Sequence, residues 1–155
     1  MKNMCLNNLF AIIMHWMLCA VFLIPVGFTW RFGIWRVGEN MIIFNLVLVG
    51  IFTAIAFFLY FVVGRKLLDP THNSLTNLLS VAIVPCVISI AVIIAWSNTE
   101  TLGMLSLLAF PIHPIGETIS FFLPLGQPRG HIIASLLPAI AMWLGLTTKK
   151  NRKAT

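Results

Sequence analysis

Long apolar runs joined by short polar links set the pattern of this chain. Leu9 to Thr29, Met41 to Val63 and Leu78 to Trp96 are each close to the length of about 20 mostly apolar residues that a membrane crossing needs. A fourth run, Ile132 to about Leu146, is shorter and borrows His131 and the following threonines at its ends, so its crossing is taken as 131–147. A fifth stretch, Met104 to Leu125, is apolar too, but Pro111, Pro114 and Pro124 interrupt it, and Gly126 follows directly. Proline removes a backbone donor and clashes with the preceding turn, so each half makes a helix of about 10 residues, roughly 15 Å long and half the hydrocarbon thickness. The pattern predicts an all-α integral membrane protein: one polytopic domain over residues 1–155, four transmembrane helices, and a proline-broken re-entrant or interfacial segment between the third and fourth. Residues 97–130 then form an outer cap, which must be satisfied by neighbouring protein or a wet cavity because broken backbone is costly in lipid.

Composition agrees with this reading. Of 155 residues, 59% are hydrophobic and 9% charged, too few charges to cover a water-soluble surface. The net charge of +6 is not spread over a face with interleaved aromatics, so nucleic-acid binding is not expected. Instead the basic residues arbitrate topology. With four crossings and a cytoplasmic N-terminus, Lys2, Arg65, Lys66, Lys149, Lys150, Arg152 and Lys153 lie inside and Arg31, Arg36 and Arg129 outside; with five crossings the split is poorer. The aromatic belt agrees, putting Trp30, Trp35 and Trp96 at the outer interface and Tyr60 and Trp143 at the inner one, with Trp16 alone away from either. A multi-pass protein of the cell (inner) membrane with both termini cytoplasmic is expected.

Smaller signals bear on packing. Gly50 with Ala54, and Ala141 with Gly145, form small-xxx-small ridges that let helices approach. Asp69-Pro70 is a turn signal, Asn73 or Ser74 a helix cap, and Pro25, Pro85 and Pro138 are candidate bends. The apolar run after Lys2 is too long for a signal-peptide core. Cys5, Cys19 and Cys86 are scattered without a CxxC pair, which implies free thiols.

Few groups could carry chemistry. His113 and Glu117 are four apart, on one face if the chain is helical there, although Pro114 between them puts that face in question. The four-span topology gathers Arg31, Arg36, Glu39, Glu100, Arg129 and His131 on the same side, and His113, Glu117, His131, Arg129 and Glu100 are the candidate outer site. A structural account leads: Pro114 suits a helix's first turn and Glu117 would meet its amino-end dipole. A surface for a ligand or partner comes next, and a catalytic or metal site last, since a metal needs further ligands and only His131, Glu100 and Glu39 are at hand. No cofactor and no metal are assigned. Within the crossings His15, with Cys19 one turn later, and Asn45 are the polar candidates, read first as interhelical hydrogen-bonding groups along with Thr53 and Ser89.

No GxSxG elbow, HExxH pair or phosphate-binding loop is present. The leading expectation is a non-enzymatic accessory, assembly or immunity-type subunit that binds a membrane protein partner or copies of itself within the lipid bilayer. An oligomeric channel or ion-coupled transporter is the alternative. A membrane-embedded enzyme with its site at His113 and Glu117 is the third.

Overall fold

The structure, a computed structural model, describes residues 2–31, 42–71, 73–97, 111–123 and 127–153. These are helical apart from short links, with no strand among them. In chain order the helices are α1 (Lys2–Arg31), α2 (Ile42–Lys66), α3 (Ser74–Leu79), α4 (Ile83–Ser97), α5 (His113–Phe122), α6 (Gln127–Ala134) and α7 (Leu136–Lys153). Three stretches are long and apolar enough to cross a membrane: Asn3–Pro25, Leu46–Lys66 and Arg129–Lys149. Ile83–Ile94 is a shorter apolar helix. The first half of the predicted re-entrant segment, together with Glu39 and Glu100, Trp35, Pro124 and Gly126, lies outside the described residues.

Two helix boundaries differ from the sequence expectation, and proline accounts for both. The run from Leu78 to Trp96 is not one helix: it breaks at Ser80–Ala82 between α3 and α4. Pro85 lies in the first turn of α4, where its missing N–H costs nothing; a continuous helix would need that N–H for the carbonyl of Val81 and would press the ring against it. Likewise Pro138 falls in the first turn of α7, and the rod steps at Ser135 between α6 and α7. Pro25, by contrast, is inside α1. Asn73 caps α3 by accepting from the Thr76 amide while the Thr76 hydroxyl pairs with the Asn73 amide, a reciprocal box that satisfies two orphan donors.

Around an apolar core, the outer surface also carries many large apolar side chains, unlike a water-soluble bundle. Along α1 the inward stripe is Asn7, Ala11, His15, Leu18, Cys19 and Phe22, whereas Leu9, Phe10, Ile13, Trp16, Met17, Val21 and Ile24 are exposed. Asn7 and His15 thus sit inside with small and apolar neighbours, while many large apolar side chains face outward. The apolar stretch of α2 is only 22% buried, so most of its surface also faces outward. The core joins Ala56, Tyr60 and Val63 of α2 to Val84 and Ile88 of α4 and to Ala139, Met142 and Leu146 of α7.

The α2–α7 crossing is built on glycine. A Cβ on Gly64 would run into the Met142 backbone, and one on Gly145 into the Phe61 carbonyl and the Arg65 amide, so the two helices touch backbone to backbone there. Only one of the expected ridges is used: Ala141 is buried and Gly145 is at the contact, while Gly50 has open space beside it and Ala54 is exposed. Tyr60, assigned to the inner interface from the aromatic pattern, is fully buried among the helices.

One end of the bundle is fastened by polar side chains. Asn7 accepts from the Asp69 amide at 3.0 Å and donates to the Asp69 carbonyl at 2.7 Å. Asn8 accepts from the Ile83 amide and donates to the Leu79 carbonyl, and Lys149 reaches the Leu68 carbonyl at 2.7 Å and the Asp69 carboxylate at 3.2 Å. The link 67–82 is thus held by the start of α1 and the end of α7. Lys149 lies 18 residues beyond His131 along α6 and α7, roughly 27 Å at a helical rise of 1.5 Å, so the fastened end and His131 are about a membrane's hydrocarbon thickness apart.

Candidate functional site

The sequence HPIGETISFF folds as α5 from its first residue. His113 occupies the first helical position with Pro114 beside it, and the Gly116 amide already bonds the Ile112 carbonyl at 2.9 Å. Pro114 therefore starts the helix and does not break it, and His113 and Glu117 do share a face one turn apart. No acidic residue is in the first turn. Glu117 lies past it, where the amino-end dipole has faded, so the helix start does not account for that carboxylate. Ile115 and Ile119 pack against the core and set the helix's rotation.

α6 brings the third group. Gly130 brings α6 close against the α5 backbone: a Cβ on it would strike the Gly116 carbonyl and the backbone of Ser120. A Cβ on Gly116 would stand 2.6 Å from Cδ2 and 3.0 Å from Nε2 of His131. The imidazole of His131 occupies the space that glycine leaves free, between His113 and Glu117. Ser120 and Thr118 turn their hydroxyls back to the Gly116 and Pro114 carbonyls at 2.8 Å.

The result is a compact cluster. Nδ1 of His113 and Nε2 of His131 are 2.8 Å apart, with ring centroids at 5.0 Å and planes tilted by 32°. A hydrogen bond at that distance needs one ring to donate and the other to accept, so the two share a proton at that contact. Oε1 of Glu117 is 3.7 Å from the same His131 nitrogen, and one donor atom from each of the three residues lies within 4.8 Å of the others. Access is one-sided: the His131 side chain is 7% exposed and that of Glu117 41%. Burial, and secondarily the neighbouring His131, push the His113 imidazole down to about 4, so it is neutral at physiological pH. Two imidazoles and a carboxylate so placed can pass a proton among themselves or converge on one cation.

Of the other candidates, Arg129 is exposed in the first turn of α6, two residues before His131, and Glu100 lies outside the described residues. The Asn45 side chain is likewise outside them. His15 is fully buried, with Nδ1 2.6 Å from the Tyr60 hydroxyl and Nε2 3.4 Å from the Cys19 thiol, the rings of His15 and Tyr60 stacked at 6.0 Å. That is a crosslink between α1 and α2. Ser89 of α4 meets Ser135 at 3.1 Å, a second hydrogen-bonded link between helices. Sequence reasoning missed Gly116 and Gly130; the signal was there, a glycine directly beside each of the two polar residues it serves.

The architecture is that of an all-helical chain with three helices able to span a membrane and a His-His-Glu cluster on two short helices. Comparison with protein-family models, with curated proteins and with solved structures finds no match for this chain.

Proposed function

We propose that the protein is a four-span protein of the cell membrane, both termini cytoplasmic, that works as a membrane-embedded enzyme through the His113, Glu117 and His131 cluster on the outer side. Its crossings are α1, α2, α3 with α4, and α6 with α7. The many large apolar side chains exposed along α1, α2 and α4, with Asn7 and His15 inside, support the membrane placement. Arg65 and Lys66 in the last turn of α2, with Lys149 at the end of α7, support a cytoplasmic fastened end. The observation that carries the enzymatic reading is the convergence of three titratable side chains from two helices, achieved by two glycines that admit nothing larger. Unlike the fully buried His15–Tyr60 crosslink, this cluster opens to one side at Glu117. Replacing the native copy with Glu117→Gln or His131→Gln is expected to reproduce the phenotype of a deletion while the protein remains at normal level in the membrane. Full function in both variants would overturn the reading.

A second reading, the accessory subunit, is favoured by Trp16. This side chain is 58% exposed midway along the apolar stretch of α1, away from the interfaces where tryptophan is usually found, and a partner helix would cover it. On that reading Trp16→Ala abolishes co-purification of a stoichiometric partner.

A further inference from the structure

We propose that His113, Glu117 and His131 are the three protein ligands of a single divalent transition-metal ion, Zn2+ by preference, with a fourth position open on the Glu117 side. This rests on the reading that the cluster is the working site. Sequence alone offers His131, Glu100 and Glu39 as further ligands without choosing among them; the Gly116 notch seats the His131 ring beside His113 and Glu117.

The donor set selects the class of ion. Two imidazole nitrogens and one carboxylate oxygen suit Zn2+ and its neighbours among borderline metals. The one buried thiol is Cys19, in contact with His15, so no thiolate is in the set to favour Cu(I) or an iron–sulfur cluster. Ca2+ and Mg2+ are hard cations that take oxygen ligands, so a set with two imidazole nitrogens disfavours both. Three protein ligands including one carboxylate is also the composition of zinc sites that keep a position for water or substrate, whereas structural zinc sites close all four.

The three donors already lie within 4.8 Å of one another, near enough for one ion after local adjustment. At zinc–ligand distances of about 2.0–2.1 Å, the donors of a tetrahedral site stand about 3.4 Å apart. The observed separations are 2.8 Å between the histidines and 3.7 Å from His131 to Glu117, one shorter and one longer than that value. An ion replacing the proton between the imidazoles would open the first contact and draw in the second. His131 is wedged on Gly116 and does not need to move, while Glu117 is exposed enough to swing. The same exposure leaves the open coordination position on that side, reachable by water and by a small carbonyl or phosphoryl oxygen.

The test is metal content and Co2+ substitution on the full chain, purified in detergent with a tag that contains no histidine. Expected are about one zinc ion per chain and, after chelation and Co2+ addition, the intense visible absorption of four-coordinate cobalt. Glu117→Gln and Gly116→Ala are each expected to weaken Zn2+ affinity by at least about tenfold. Glu117→Gln replaces an exposed side chain and keeps the fold; an unchanged unfolding midpoint in the chelated protein checks this. Substoichiometric zinc without the cobalt spectrum, or stoichiometric zinc that both variants retain, would overturn the inference. The two readings separate cleanly. No metal in a protein whose Glu117→Gln and His131→Gln forms lack cellular function overturns the ion and keeps the site. A stoichiometric ion lost on Glu117→Gln, in cells that function normally, establishes the ion and removes the enzymatic reading.

Discussion

His113 shows how a single side chain's surroundings set its chemistry. Enclosed by α5 and facing His131, it resists protonation, with a value near 4 where 6.5 is ordinary. An unfolded chain therefore takes up the proton first as pH falls. The contribution of neutral His113 to stability is complete above about 6.5 and is lost between there and about 4. The chelated protein should accordingly show an unfolding midpoint that declines across this window, and His113→Gln should flatten the decline. A midpoint with the same pH profile in both proteins would mean that His113 titrates normally. Tyr60 makes the complementary point: a residue that reads as an interfacial aromatic can be a buried partner, because its hydroxyl satisfies His15 where no water reaches.

At the scale of helices, glycine placement decides which faces meet. Gly64 and Gly145 lie where α2 and α7 touch backbone to backbone, and Gly50 lies in open space on α2. Gly64→Ala and Gly145→Ala should each destabilise the protein by about 1–3 kcal/mol, because a methyl group there must push rigid backbone aside. Gly50→Ala should be neutral or stabilising by up to about 1 kcal/mol, since alanine removes the helix cost of glycine without meeting a neighbour. Thermal unfolding of the three variants in detergent checks this ordering; equal losses at all three positions would contradict the contact geometry. Pro85 and Pro138 act at the same scale. Each starts a helix, so each breaks an apolar run that periodicity alone reads as continuous.

For the whole molecule the decisive contrast is between its two ends. One is fastened by Asn7, Asn8, Asp69 and Lys149 and carries basic residues; the other carries the histidine cluster. With four crossings, a reporter fused after residue 153 should be active only in its cytoplasmic form, and a cysteine placed at Leu123 should react with a membrane-impermeant reagent from outside intact cells. Leu123 is exposed beside the end of α5, so burial does not prevent labelling. Labelling of Leu123→Cys only after permeabilisation would put the cluster on the cytoplasmic side and reverse the orientation.

The amino-acid sequence by itself determined the helical, membrane-compatible class of this chain, because apolar runs of that length with so few charges leave the backbone no other way to bond in lipid. It also determined local features carried by neighbours along the chain, a helix cap at Asn73 or Ser74 and the first-turn proline of α5, and left open whether His113 and Glu117 share a face until α5 is seen to begin at His113. Tertiary structure decided everything that depended on separate helices approaching. His131 is 14 residues from Glu117, and no periodicity predicts that its ring fills the space above Gly116. The same holds for the choice of Gly64 and Gly145 over Gly50, and of Tyr60 as the partner of His15. In an apolar chain most faces look alike in sequence, and only the close approach of particular backbones distinguishes a face that meets lipid from one that holds a site.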